Sequence, residues 1–237
     1  PRVAGRRFTR VRVCHPRAVR AHTSTDDFIR LLCHTTVQDI IRRGKALLFL
    51  LDSGRALLVR LGMSGQLVLR TPDDPPAPHT HVFLTLDDGT ELRYIDPRTF
   101  GQMAVVESHD PDRLIELAHY GLEPLDDSFT PEALRAALAG THALIQVALM
   151  DQTRVAGIGK IYADEACFLA GINPRRTADS LTDAEVRRLH RAIRDVLCRA
   201  VEARGTSSQD AAYRDASGQT GAFQHQLHVY QRAGHPC

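Results

Sequence analysis

The sequence predicts an α+β chain, an N-terminal antiparallel β-sandwich followed by a helical domain. Three observations predict it. Through residue 106 the apolar residues fall in short runs or alternate with polar ones, and close turn signals separate the runs. From Thr130 onward the apolar spacing lengthens to a helical period, with capping residues at the segment ends. The 237 residues are 43% hydrophobic and 24% charged, which suffices for a packed core in each half. The expected divisions are a sandwich over 1–106, a linker over 107–129, a helical domain over 130–222 and a terminal segment over 223–237.

The first half is expected to consist of strands. Arg10-Val11-Arg12-Val13 alternates with period two, the mark of a strand with one face buried. Ala46–Leu51 and Ala56–Leu61 are apolar runs joined by Asp52-Ser53-Gly54, a hairpin signal. Gln66–Arg70 follows the turn Gly62-Met63-Ser64-Gly65. Residues 72–78 hold four prolines and form a surface loop. Val82–Leu86 and Glu91–Ile95 flank the tight turn Asp87-Asp88-Gly89, and Met103–Val106 closes the set. Six or so short strands with close turns are the pattern of an antiparallel sandwich or barrel.

The second half is expected to be helical. Thr130-Pro131 is an N-cap followed by proline in the first turn, and Gly140 stops that helix. His142–Asp151 is a second helical stretch, and Thr153–Gly159 a glycine-bearing turn. Ile161–Ala170 is a third helix, stopped by Gly171 and Pro174. Thr182-Asp183-Ala184-Glu185 is a capping box. After it Val186, Leu189, Ile193, Val196, Leu197 and Val201 form one apolar stripe that ends before Gly205. Phe223–Tyr230 reads as a strand leading into Gly234-His235-Pro236-Cys237.

Composition narrows the function classes. No run approaches the roughly 18 apolar residues of a membrane-spanning helix, and no charged-then-apolar leader opens the chain. Cysteines at 14, 33, 167, 198 and 237 match neither a disulfide framework nor a metal quartet, so a reducing cytoplasm is expected. The net charge of +2 hides an asymmetry. Residues 1–45 carry ten Arg and one Lys against three Asp, whereas 71–135 carry 4 basic and 14 acidic side chains. A basic segment of that kind holds polyanions by counterion release, or else forms a solvated Arg-rich surface. Of the 30 basic residues only Lys45 and Lys160 are lysines, a hint that these two serve as titratable amines.

Four constellations carry candidate chemistry. The stretch Asp151–Lys160 ends one helix and starts another through a two-glycine turn. It is either an anion site at exposed helix amides or a plain packing corner. Asp96-Pro97-Arg98-Thr99-Phe100-Gly101 follows a strand and sets Arg98 and Phe100 two residues apart. That pair is equipped to enter a duplex, guanidinium to bases and ring between stacked pairs, or else is a salt-bridged Arg beside a core Phe. Met63 is a third side chain that either intrudes into a ligand or belongs to the core. His79 and His81, two residues apart, and Lys45 are either candidate phosphate contacts or plain surface residues, and the Lys45 amine is a candidate general acid or base.

Taken in order, these segments are more specific than any one of them. Arg-Arg-Gly-Lys at 42–45 precedes Leu-Gly-Met-Ser-Gly at 61–65, His-Thr-His at 79–81 and Asp-Pro-Arg-Thr-Phe-Gly at 96–101. Tyr-Gly-Leu-Glu-Pro-Leu at 120–125, Leu-Met-Asp-Gln at 149–152, Val-Ala-Gly-Ile-Gly at 155–159 and the tail follow. The whole chain resembles the formamidopyrimidine-DNA glycosylase branch of the formamidopyrimidine/endonuclease VIII family of bacterial base-excision enzymes. The resemblance implies a β-sandwich, a helix–two-turns–helix domain and a C-terminal zinc finger. It implies a monomer acting in the bacterial cytoplasm on double-stranded damaged DNA, from which an oxidised purine such as 8-oxoguanine or formamidopyrimidine is flipped out. An N-terminal proline attacks the sugar, a Schiff base forms, and β,δ-elimination cuts the strand. By the same resemblance Lys45 assists elimination, His79, Arg98 and Lys160 contact DNA, and Met63, Arg98 and Phe100 fill the void and wedge the duplex. Cys237 matches the first ligand of a structural zinc.

Several positions depart from the family pattern. Arg2 follows Pro1 where a catalytic Glu is usual, and the chain stops after the first zinc-ligand match. A segment shortened at both ends and inactive by itself is therefore expected. Gln146 replaces a usual Lys, Lys160 a usual Asn, and Thr141 is uncharged near another DNA-contacting position. The rival expectation is a non-catalytic binder of damaged or abasic DNA.

Overall fold

The computed structural model describes residues 2–107, 117–207 and 213–235. The chain forms two compact units, Pro1–Leu114 with Ser207–Gly221, and Ile115–Thr206 with Ala222–Cys237.

The first unit is a sandwich of two four-stranded antiparallel sheets. Strands β1 (Phe8–Val13), β6 (Thr80–Leu86), β7 (Glu91–Ile95) and β5 (Gln66–Arg70) pair in that order. Strands β2 (Val37–Arg43), β3 (Ala46–Leu51), β4 (Arg55–Arg60) and β8 (Gln102–Glu107) form the second sheet. One core joins them, with Val82, Leu84 and Leu92 from the first sheet against Phe49, Leu57 and Met103 from the second. Each such side chain contributes about 1.5–3 kcal/mol by leaving water.

Two elements go beyond the expected strands, α1 (Thr25–Leu32) and β2. The local signals of α1 are real but short. Ser24 caps it by accepting from the Asp27 amide, Asp26 and Asp27 fill the first turn, and Phe28 and Leu32 bury one face. Eight residues give only two turns, too few for a period to stand out. In β2 the register slips between Val37 and Asp39, which breaks the alternation a strand reading depends on. His22 ties the helical region to β8: its Nε2 accepts from the Val105 amide at 2.9 Å while Nδ1 faces Asp27 at 3.2 Å. The proline loop is moored by Arg93, which is 2% exposed. Its guanidinium donates to the carbonyls of Thr71 and Asp74 and to Glu91, so the buried charge is fully partnered.

The second unit is helical. Helix α2 (Pro131–Leu138) is capped by Thr130, and α3 (Ile145–Met150) is shorter than the expected 142–151. Helix α4 (Lys160–Ala170) ends at Gly171, whose φ of 65° is the left-handed conformation a helix stop requires. Helix α5 (Asp183–Glu202) opens on the full capping box of Thr182 and Glu185. Its apolar stripe is buried through Val196, but Val201 is 67% exposed and lies past the end of the packed face.

The expected strand at 223–230 is instead a short 3₁₀ turn, Phe223–Gln226, followed by bends. Burial overrides the strand pattern here. Phe223 is 1% exposed and packs on Val196 and Ala200 of α5, which pins the backbone at its first residue.

Candidate nucleic-acid interface

In the first unit, two loops bring the three candidate intruding side chains together. The turn Gly62–Gly65 closes with the Gly65 amide donating to the Leu61 carbonyl at 2.8 Å. Beside it runs the 96–101 loop. The loops touch through glycine: a Cβ on Gly62 would lie 2.8 Å from the Gly101 nitrogen, and Gly62 also holds a φ of 63°. Met63 is 69% exposed and Phe100 52% exposed, so neither belongs to the core. The Arg98 guanidinium lies 5.0 Å from the Phe100 ring centroid, a cation–π pair. A packed interior would hide Met63 and Phe100; here both stand in water on adjoining loops.

His79 is exposed at the end of the proline loop, with a φ of 63° and its ring 6.4 Å from that of the buried His81. Lys45 sits in the two-residue turn between β2 and β3, after Gly44 with its φ of 55°. The residue is exposed by area, yet the surrounding chain withdraws enough water from the ammonium to lower its pKa below the usual lysine value. The basic N-terminal segment is less free than its charge suggests. Arg6 pairs with Asp87 and Asp88 at 3.6 and 3.1 Å, Arg12 stacks 3.8 Å over Phe83, and Arg30 pairs with Asp27. The acidic turn at 87–88 thus offsets part of the excess.

In the second unit, the 151–159 turn is built by its own side chains. Asp151 accepts from the amide and hydroxyl of Thr153, and these hydrogen bonds hold its carboxyl below the usual range. Gln152 donates to the carbonyls of Met150 and Ile158 and accepts from the Gly157 amide, latching the turn shut. Lys160 is the first residue of α4, with a side chain 63% exposed and Nζ 3.0 Å from Asp164. Gln146 also donates to Asp164. Two of the positions that depart from the family pattern, Gln146 and Lys160, therefore meet on one carboxylate, which the sequence reading missed. Asp164 lies at i,i+4 from Lys160, and that spacing was the available signal.

Glu165 was missed as well. It is 1% exposed and receives the amides of His228, Val229 and Tyr230 at 2.8–3.0 Å, plus His228 Nδ1 at 3.1 Å. Burial pushes its pKa up, but the three amides and His228 outweigh burial and leave it below the usual glutamate range. A carboxylate held so stabilises the tail fully above the unfolded glutamate pKa, and the contribution is lost as pH falls through the lower folded value. Glu165→Gln is expected to cost about 1–3 kcal/mol of local stability, because its NH2 faces donors. Hydrogen exchange at 223–230 measures this, and unchanged protection in the variant would refute it.

Among the described residues no group of three His, Cys, Asp or Glu stands close enough to hold a metal. The four described cysteines are free and scattered, and Cys237, the expected first ligand, lies outside the described residues, as does Pro1.

Comparison with known proteins agrees with this geometry. Residues 1–103 match the formamidopyrimidine-DNA glycosylase N-terminal domain, and residues 120–212 match the formamidopyrimidine-DNA glycosylase H2TH domain. The formamidopyrimidine-DNA glycosylase of Symbiobacterium thermophilum is 48% identical over 237 residues, covering 100% of this chain and 76% of that protein. Among solved structures, the MutM (Fpg) protein from Thermus thermophilus is 39% identical with a TM-score of 0.87, covering 100% of this chain and 84% of that one. The Lactococcus lactis Fpg, in complex with abasic-site DNA, is 30% identical with a TM-score of 0.88, covering 100% and 85%. No helix among the described residues is long and apolar enough to cross a membrane. With both domain matches in chain order and relatives this similar along its whole length, the chain belongs to the formamidopyrimidine-DNA glycosylase family of DNA-repair enzymes.

Proposed function

We propose that the protein excises oxidised purines, 8-oxoguanine and formamidopyrimidine, from duplex DNA and cuts the strand at the resulting abasic site by β,δ-elimination. It acts as a monomer in the cytoplasm, on nucleoid DNA. The observation that carries this reading is the joint exposure of Met63 and Phe100 on two touching loops, with Arg98 stacked on Phe100. Side chains so presented enter a base stack and occupy the space of a flipped nucleotide. His79 and Arg98 contact the backbone and bases on the same unit. Lys160 serves a phosphate from the N-terminus of α4, where helix amides and an ammonium favour an anion. Lys45, with its lowered pKa, is the base that removes a sugar proton in elimination. Cys237, outside the described residues, is the first ligand of a structural zinc.

The reading is tested by incubating duplexes carrying either lesion with borohydride and the protein as its gene encodes it. A trapped adduct and a nicked strand are expected. Lesion binding without excision would overturn the reading and favour a non-catalytic binder.

A further inference from the structure

Asp96 is 0% exposed. Three donors from three places converge on its carboxylate. Its Oδ1 accepts the Ser64 hydroxyl at 2.6 Å, and its Oδ2 accepts the Tyr94 hydroxyl at 3.0 Å and the Gly101 amide at 2.9 Å. Ser64 Oγ in turn accepts the Arg98 amide at 3.3 Å. The backbone of the same residue is also engaged: its amide donates to the His79 carbonyl at 3.1 Å, and its carbonyl accepts from His81 Nε2 at 2.8 Å and from the Thr99 amide at 3.2 Å. From outside, Arg20 donates to the carbonyls of Phe100 and Gly101 at 3.2 and 2.9 Å.

We infer that Asp96 is a positioning residue, which sets the Met63 loop and the Arg98–Phe100 loop in one register so that the three side chains act as a single wedge. The inference rests on the wedge reading given under Proposed function. Ser64 follows Met63 directly, and Gly101 follows Phe100 directly, so two of the three donors to Asp96 belong to residues adjacent to an intruding one. Gly62 meets Gly101 backbone to backbone, with no side chain from either residue at that contact. Hydrophobic packing therefore does not fix their spacing there; the carboxylate does. Thr99, with its φ of 54°, stands in a conformation that L side chains rarely adopt, and its amide is held by the Asp96 carbonyl. These donors also favour the ionised carboxyl. Burial pushes its pKa up, while Ser64, Gly101, Tyr94 and the Arg98 amide bring it below the usual range.

The test compares Ser64→Ala, Asp96→Asn and Phe100→Ala in the protein as its gene encodes it. Three quantities are read: Tm, the ratio of affinities for a tetrahydrofuran abasic-analogue duplex and its undamaged counterpart, and the fluorescence of 2-aminopurine beside the analogue. That fluorescence reports unstacking, which a loss of fold stability alone does not move in the bound complex. Ser64→Ala removes the two hydrogen bonds that Ser64 makes to the 96–101 loop and is expected to keep Tm within a few degrees. It should lower the affinity ratio about 5–10-fold, the scale of about one lost hydrogen bond, and dim the fluorescence change. Asp96→Asn is expected to lower the ratio more, since its NH2 faces donors. If Phe100→Ala lowers the ratio while Ser64→Ala leaves ratio and fluorescence as in the wild type, the positioning role is overturned and the wedge stands, whether or not Asp96→Asn folds. If Phe100→Ala leaves both unchanged, the wedge reading itself is overturned.

Discussion

Replacing Lys45 by arginine is expected to slow strand scission at a preformed abasic site by about 10²–10⁴-fold, the usual worth of a positioned acid–base group. Affinity for the same duplex should fall little, because arginine keeps the positive charge. What it cannot do is release a proton at any working pH. The reasoning begins with the site. Lys45 sits on a two-residue turn where partial loss of water lowers its pKa. Desolvation disfavours the ammonium, so at a given pH the neutral amine is more populated than in free lysine. A neutral amine is the form that accepts a sugar proton. The wild-type scission rate should therefore rise as pH climbs through the lowered pKa, and Lys45→Arg should lose that limb. The check is the nicking rate of an abasic duplex across neutral and alkaline pH. Scission by Lys45→Arg at the wild-type rate would reduce Lys45 to a phosphate contact.

Phe100→Ala is the second large effect. Base–aromatic stacking contributes about 1–3 kcal/mol per base, so affinity for lesion duplex should fall about 5–150-fold. Stability should change by no more than about 0.5 kcal/mol, because the ring is half in water and outside the core. Arg98→Ala removes the guanidinium over that ring and should act in the same direction. It should also flatten the salt dependence by about 0.9 in log–log slope for each phosphate the guanidinium had neutralised. Anisotropy titrations of lesion and undamaged duplexes at several salt concentrations separate these effects. A wedge predicts a larger loss on lesion duplex. Equal losses on both would make Phe100 a general surface contact.

These expectations draw on two kinds of information. Turns, caps and hairpins were legible because their causes act over a few residues. Asp52-Ser53-Gly54 joins β3 to β4, Thr182 and Glu185 form the box that opens α5, and Gly171 stops α4. The family motifs were legible too, since they are strings of neighbours. Where local signals were weak or were outweighed, the reading fell short. Helix α1 spans only two turns, β2 carries a register slip, and Phe223 is held by α5 in place of the strand its neighbours suggest.

By itself, then, the amino-acid order determined the α+β architecture and its main elements through short-range steric and capping preferences, and the family through its ordered motifs. Only the folded chain decided whether Met63 and Phe100 belong to the core or to the surface, a question the residues leave open because either suits an apolar side chain. It alone joined Ser64 to Asp96 across 32 residues and Glu165 to His228 across 63. Such pairings follow from burial, which leaves a carboxylate to seek donors wherever packing has brought them, and sequence distance does not encode that.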